Sequence, residues 1–383
     1  MSVTAPRGFR AAGVAAGLKS SGAPDVALVV NDGPQDSAAA VFTTNRFPAA
    51  PVQWSRQVLA TGRLRAVVLN SGGANACTGP EGFEDTHATA EHTAAELGLG
   101  AIDVAVASTG LIGVRLPMDE LLPGVTDAAK ALAADGGPDA ARAIMTTDSV
   151  PKTTVVQRDG WSVGGMAKGA GMLAPSLATM LVVLTTDAAV DSATLQTALE
   201  RATGVSLERV DSDGCLSTND TVVAMANGAS GVTPGAAEVA EALTAAATDL
   251  AMQLLADAEG STKDIAITVR NAATVGDALT AGRACARNNL LKTALFGNDP
   301  NWGRVLAAIG TTDAAFEPGR VDVTINGVTV CRGGAIGDPR EGVDLTGRAI
   351  TIDVDLRAGS EQATIWTNDL SIAYVHENSA YST

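Results

Sequence analysis

Residues 168–181 read Lys168-Gly-Ala-Gly-Met-Leu-Ala-Pro-Ser-Leu-Ala178-Thr179-Met-Leu181. A lysine enters a glycine-rich turn and an apolar run leaves it. Residues 179–186, Thr-Met-Leu-Val-Val-Leu-Thr-Thr, form the most apolar stretch of the chain and predict a buried strand. Gly169-Ala-Gly171-Met-Leu-Ala174 also fits the G-x-G-x-x-A pattern of dinucleotide-binding turns. That pattern needs a helix to follow, so that the helix N-terminus can meet a pyrophosphate. Pro175 and the strand-like run predict a turn and a strand instead. Thr179 then has two readings. One is an ordinary β-former in a core strand. The other is a hydroxyl, behind a small residue and a glycine turn, that attacks its own preceding carbonyl. An N→O shift and ester hydrolysis would free Thr179 as a new N-terminus. Its α-amine, titrating near ~7.7–8.0, would be a built-in base, and Thr with its own amine is a recognised activated nucleophile.

Strand-like and helix-like runs alternate on both sides of this turn. Residues 26–30, 40–44, 66–69 and 104–106 predict buried strands, and 83–97 and 118–134 predict helices. Beyond the turn, helices are expected at 192–203 and 236–258. In the second, Val239, Leu243, Ala246, Leu250 and Leu254 recur at spacings of three and four, which marks a core stripe. Residues 265–269, 350–356 and 363–367 predict strands, and 321–325, Asn326-Gly327 and 328–331 predict a hairpin with a type I′ turn. The expected fold is α/β in two lobes, with sheets packed against helices and a boundary near the glycine cluster.

Composition narrows the chemistry. The chain has 383 residues, 46% apolar and 3% aromatic, so its cores are built from small aliphatic side chains. A net charge of −16 makes nucleic acid and anionic membranes poor partners. No run of about 18 apolar residues suggests a membrane span, and no basic region followed by an apolar stretch opens the chain. Cys77, Cys215, Cys285 and Cys331 form no C-x-x-C pair, which predicts a reduced, cytoplasmic protein without disulfides. Three scattered histidines argue against a histidine metal site and leave few partners for a Ser-His-Asp triad. No metal is expected, and the general base of any enzyme here is expected not to be histidine.

Four further segments carry polar groups at turns. Ser108-Thr109-Gly110 follows a strand, where a hydroxyl and a glycine N–H can hold an oxyanion or simply cap a turn. Cys77, in Asn70-Ser-Gly-Gly-Ala-Asn-Ala-Cys77, is expected to be a buried structural thiol. Asp257-Ala-Glu259 ends a helix, where acidic groups oppose the dipole and need a partner, either Lys263 or a cationic substrate. Both tyrosines fall in the last ten residues, Tyr374 to Thr383, which suggests a docked tail.

Together these segments resemble the ornithine acetyltransferase family, the glutamate N-acetyltransferases of arginine biosynthesis, and most closely its actinobacterial members. The resemblance runs from Gly8-Phe-Arg-Ala-Ala-Gly13 to Asn378-Ser-Ala-Tyr-Ser-Thr383. Its most diagnostic stretches are 168–181, 70–79, 108–113, Met145-Thr-Thr-Asp148, Gly214-Cys-Leu-Ser-Thr-Asn-Asp220 and 297–304. It implies self-cleavage between Ala178 and Thr179, giving an α chain of residues 1–178 and a β chain of 179–383. The implied fold is that of the self-processing N-terminal-nucleophile enzymes, and the implied assembly is α2β2. Thr179 matches the family nucleophile, and Thr109 with Gly110 the oxyanion hole. Substrate-binding positions fall on Thr146, Lys168, Thr179, Glu259, Asn378 and Thr383. The implied reaction moves acetyl from N2-acetyl-L-ornithine to L-glutamate, releasing L-ornithine, without metal or cofactor. Acetyl-CoA is left open as a second donor. A self-processing amidohydrolase or aminopeptidase using the same Thr179 is the alternative.

Overall fold

A computed structural model describes residues 2–173 and 180–380. In chain order the first half contains β1 (Phe9–Val14), β2 (Val26–Asn31), β3 (Ser37–Phe42), α1 (Ala50–Leu59), β4 (Ala66–Asn70), α2 (Gly79–Leu97), β5 (Val104–Ser108), α3 (Met118–Lys130), α4 (Gly137–Ala143), β6 (Lys152–Gln157) and β7 (Ser162–Lys168). Then follow β8 (Leu181–Thr186), α5 (Ser192–Val205), β9 (Thr221–Ala226), α6 (Ala236–Ala256), β10 (Asp264–Ala272), α7 (Val275–Ala286), α8 (Asn289–Phe296) and α9 (Trp302–Ile309). The chain closes with β11 (Asp322–Ile325), β12 (Val328–Arg332), β13 (Ala335–Ile336), β14 (Ala349–Asp355), β15 (Glu361–Asn368) and α10 (Ile372–Ala380).

Among the described residues the strands form three sheets, ordered β1-β2-β4-β5, β3-β9-β8-β7-β6 and β13-β12-β11-β14-β10-β15. Alternation along the strands explains how the first two stack. Ala27, Val29, Val67 and Leu69 point into one core with Met166, Leu181, Val183, Val223 and Met225 of the second sheet. Their neighbours Val26, Leu28, Ala66, Val68, Val104 and Val106 face the opposite way, onto Leu121 and Val125 of α3. The outer face of the second sheet packs on α5 and α6. The result is four layers: helices, sheet, sheet, helices. Strands buried on both faces carry apolar residues at nearly every position, which is why β2, β4 and β8 read as unbroken hydrophobic runs.

The third sheet covers α7 and α9 with a separate core of Ile265, Ile267, Val269, Ile352, Val354 and Ile365. It reaches the rest of the chain through a bridge from Val210 to Trp366 and through contacts with α6. The α/β class is as expected, but the lobe boundary is not at the glycine cluster. β7 and β8 pair antiparallel from Val163↔Thr186 to Lys168↔Leu181, so the cluster joins neighbouring strands of one sheet. The lobes divide after α6, just before β10. The hairpin forms as predicted, with Asn326 and Gly327 both at positive φ.

With 21 residues, α6 is long and apolar enough to cross a membrane, contrary to the expectation that no such run exists. Its stripe is buried instead: Leu243, Ala246, Leu250 and Leu254 are at most 1% exposed. Leu250→Ala should therefore cost about 2–5 kcal/mol, read as a lower urea midpoint at unchanged slope; an unshifted midpoint would remove α6 from the core.

Candidate active site

Two parallel strand ends and one glycine turn converge on an open cavity. β4 and β5 run parallel and end side by side at Asn70 and Ser108, whose side chains hydrogen-bond at 2.7 Å. The Thr109 N–H donates to the Asn70 carbonyl at 3.0 Å, which turns the chain just beyond the strand. Gly110 sits at φ +132°, and a Cβ there would come within 2.9 Å of the Gly73 backbone, so only glycine fits. Asn219 secures the corner: its Nδ2 donates to the Ala74 carbonyl at 2.6 Å and the Ser108 carbonyl at 2.8 Å.

The opposite wall starts at Lys168, the last residue of β7. Its side chain is buried, and its Nζ donates to Thr109 Oγ1 at 3.1 Å. Because that oxygen accepts from a cation, the Thr109 hydroxyl proton is left to donate elsewhere, and its acidity is raised. Burial pulls the Lys168 ammonium below its ordinary value. Asp148 opposes that pull, Lys152 adds to it, and Asp220 and Glu259 oppose it.

Asp148 ties this wall together. Its carboxylate accepts from Gly169 N at 2.7 Å, Thr146 N at 3.0 Å and Lys152 Nζ at 2.6 Å. Lys152 also bonds Asp257, the residue that follows α6, at 2.6 Å. Burial alone would push Asp148 up, but Lys168, Lys152 and the Gly169 N–H outweigh it, and the carboxyl lies below its ordinary value. Asp257 thus finds its partner in Lys152. Lys263, the partner considered from sequence, donates instead to the carbonyls of Leu345 and Gly347 at 2.6 and 3.0 Å.

Glu259 follows within two residues. Its N–H donates to the Ala170 carbonyl at 2.9 Å, and a Cβ on Gly171 would lie 2.6 Å from its Oε2, so the turn is bare where the carboxylate crosses it. The next residue, Gly260, admits α10: a Cβ there would lie 2.2 Å from Tyr374 N. Its carbonyl accepts from Ser371 Oγ at 2.5 Å. This docks α10 over the site and brings Asn378 to the rim.

Thr109, Gly110, Thr146, Lys168, Glu259 and Asn378 therefore line one cavity. Ala178, Thr179 and Thr383 lie outside the described residues. Beside Gly169–Leu173, the described neighbours are β7 and β8, so no helix starts where a dinucleotide turn would need one among these residues. Cys77 is exposed, with φ +56°, and is not the buried thiol expected. Sequence reasoning missed Asp148, Asn219 and Asp220. Each lies in a stretch quoted above, where an acidic or amide side chain sits just before a core strand or in a short polar turn. Among the described residues, no group of three or more His, Cys, Asp or Glu side chains is placed to hold a metal.

Residues 10–383 match the ArgJ family. The chain belongs to that family. The arginine biosynthesis bifunctional protein ArgJ of Streptomyces coelicolor is 65% identical over 382 residues, covering 100% of both chains. Its counterpart in Thermobifida fusca is 63% identical, again over 100% of both. Among solved structures, ornithine acetyltransferase from Mycobacterium tuberculosis complexed with ornithine is 62% identical. It matches over 47% of this chain and 96% of that one, with a TM-score of 0.45.

In this ArgJ protein the Asp148 carboxylate ties Thr146, Gly169 and Lys152 together. A carboxyl held below its unfolded value stabilises the fold above that value, and the contribution is lost as pH falls through the folded one. Asp148→Asn should cost about 3–5 kcal/mol at neutral pH. The difference from the wild-type protein should shrink below about pH 4. Urea melts at pH 7 and pH 3 check this, and an equal deficit at both pH values would refute it.

Proposed function

We propose that this chain transfers the acetyl group of N2-acetyl-L-ornithine to L-glutamate, as a step of arginine biosynthesis, through an acetyl ester on Thr179. Acetyl transfer in arginine biosynthesis rests on membership of the ArgJ family, with relatives at 59–65% identity over nearly the whole chain. The observation that carries the finer reading is the Lys168–Thr109 hydrogen bond inside a cavity that also holds Gly110, Thr146, Glu259 and Asn378.

The chemistry follows from the groups. In this reading the chain cleaves itself between Ala178 and Thr179, and the two fragments assemble into one site. Thr179 Oγ attacks the acetyl carbonyl while its α-amine takes the hydroxyl proton. Negative charge then develops on the carbonyl oxygen. The Thr109 hydroxyl, polarised by Lys168, and the Gly110 N–H supply two donors for it. The amine of ornithine leaves with the proton. Glutamate's amine then attacks the ester, and Thr179 recovers its hydroxyl. One amide is exchanged for another, so the step is close to isoenergetic and calls for neither ATP nor metal. Glu259 offers a carboxylate for an ornithine ammonium. The same donors would serve acetyl-CoA as a second acetyl source, which is part of the proposal.

Incubation with N2-acetyl-L-ornithine and L-glutamate should yield N-acetylglutamate and ornithine in equal amounts. Free acetate without N-acetylglutamate would sink this reading in favour of the hydrolytic alternative. Thr179→Ala should remain a single 383-residue chain and transfer nothing, whereas the wild-type protein should give fragments of 178 and 205 residues by intact mass. Thr109→Ala should lower kcat by about 10²–10³ with little change in KM. Glu259→Gln should raise KM for N2-acetyl-L-ornithine more than for glutamate; equal effects would remove its charge-pairing role.

A further inference from the structure

Residues 217–221, Ser-Thr-Asn-Asp-Thr, lead into β9, and all five are buried. Polar side chains taken out of water need partners inside the protein. Part of that need is met within the segment, around Asn219. Thr218 Oγ1 donates to Asn219 Oδ1 at 2.6 Å, the Asn219 N–H donates to Ser217 Oγ at 3.1 Å, and Thr221 Oγ1 donates to the Asn219 carbonyl at 2.9 Å. Asn219 is thus held at its side-chain oxygen, its N–H and its carbonyl, and its amide nitrogen reaches out of the segment. That nitrogen donates to the carbonyls of Ala74 and Ser108. An amide NH2 has two protons. Both are committed, so Asn219 lines the cavity with no donor left for a substrate.

The two carbonyls it holds belong to the frame of the oxyanion turn. The Ser108 carbonyl is one end of the peptide that enters Thr109. The other end, the Thr109 N–H, donates to the Asn70 carbonyl. A peptide unit is rigid and planar, so holding its C=O and its N–H fixes the plane from which Thr109 and then Gly110 project. Ala74 follows Gly73, the residue that Gly110 packs against, and its N–H donates to the Leu111 carbonyl at 3.0 Å. Asn219 therefore joins both strands of this small frame to the entry of β9. The next residue makes a second link: Asp220 Oδ1 accepts the Met180 N–H at 3.1 Å, just before β8. Consecutive side chains tie the entry of β8 and the Ser108–Thr109 peptide to one piece of backbone.

Resting on the reading of Thr109 and Gly110 as oxyanion donors, we propose that Asn219 is a positioning residue, which aims the Thr109 hydroxyl and the Gly110 N–H by gripping the Ser108–Thr109 peptide. Such donors act only when they point at the place where charge develops, and a hydrogen bond weakens steeply with misalignment. On the same reading Asn219 stands on the 179–383 fragment and Thr109 on the 1–178 fragment. The grip then also aligns the two fragments at the site.

Asn219→Ala should lower kcat per cleaved chain by about 10–100-fold, with little change in KM for N2-acetyl-L-ornithine or L-glutamate. In a cycle with Thr109→Ala, the loss in the double variant should fall short of the product of the two single losses, because both act on the same donors. An unchanged kcat, or losses that multiply, overturn the inference and leave the oxyanion reading intact. A wild-type kcat in Thr109→Ala overturns the oxyanion reading and the inference together. Should Asn219→Ala fail to cleave, amide exchange decides in the uncleaved Thr179→Ala protein. Adding Asn219→Ala there should speed exchange of the Thr109 N–H by about tenfold or more, while the β4 and β5 amides keep their protection. Unchanged protection at Thr109 overturns the proposal.

Discussion

A lysine buried in the middle of the protein is the constraint around which the site is arranged. An ammonium removed from water is expensive unless opposite charge and hydrogen bonds replace the solvent. Lys168 meets Thr109 directly, with Asp148, Asp220 and Glu259 around it. Each of those carboxylates is itself engaged in geometry that the site needs. Asp148 holds the backbone of Thr146 and Gly169, Asp220 holds Met180, and Glu259 follows the end of α6. Electrostatic compensation of one cation thus becomes positional control over the backbone at Thr146, Gly169 and Met180.

The second cation, Lys152, extends this logic to the fold. It joins Asp148 in the loop before β6 to Asp257 at the end of α6, with its side chain fully shielded from solvent. Such a link stabilises little in net terms, because desolvation offsets most of the attraction. Its effect is on register. It fixes where α6 ends relative to β6, and therefore where the chain turns into Glu259. Small residues complete the arrangement. Glycine at 110, 171 and 260 lets Gly73, the Glu259 carboxylate and α10 approach to distances that a side chain would block.

Patterned apolar segments were legible in the sequence because burial on one or two faces leaves a period or an unbroken run. β2, β4, β5, β8, α6 and the β11–β12 hairpin all appear close to where the pattern placed them. β1, β6 and α7 did not stand out, since they are alanine-rich or polar on one side, and β9 was passed over although it is buried throughout. The lobe boundary was misplaced for a physical reason. A glycine cluster marks a place where backbones come close, and here that place is a turn within a sheet rather than a linker. Cys77 was misjudged because its small neighbours suggested a core, whereas the loop turns outward through positive φ at Asn75 and Cys77.

The site residues divide in the same way. Thr109, Gly110, Lys168 and Glu259 could be found because hydroxyl, glycine and charge types at strand and helix ends carry chemical meaning by themselves. Asp148, Asn219 and Asp220 act through backbone amides or carbonyls of distant segments, up to 145 positions away for Asn219 and Ala74. No local pattern records such a partner. What the sequence does record is the anomaly of an acidic residue on the threshold of a strand with no exposed face, as at Asp220 before Thr221–Ala226. A charge in that position has to be satisfied, neutralised or used. For Asp220 the Met180 N–H, the Lys168 ammonium and the hydroxyls of Ser217 and Thr43 favour the charged form, yet burial outweighs them and holds the carboxyl well above its ordinary value.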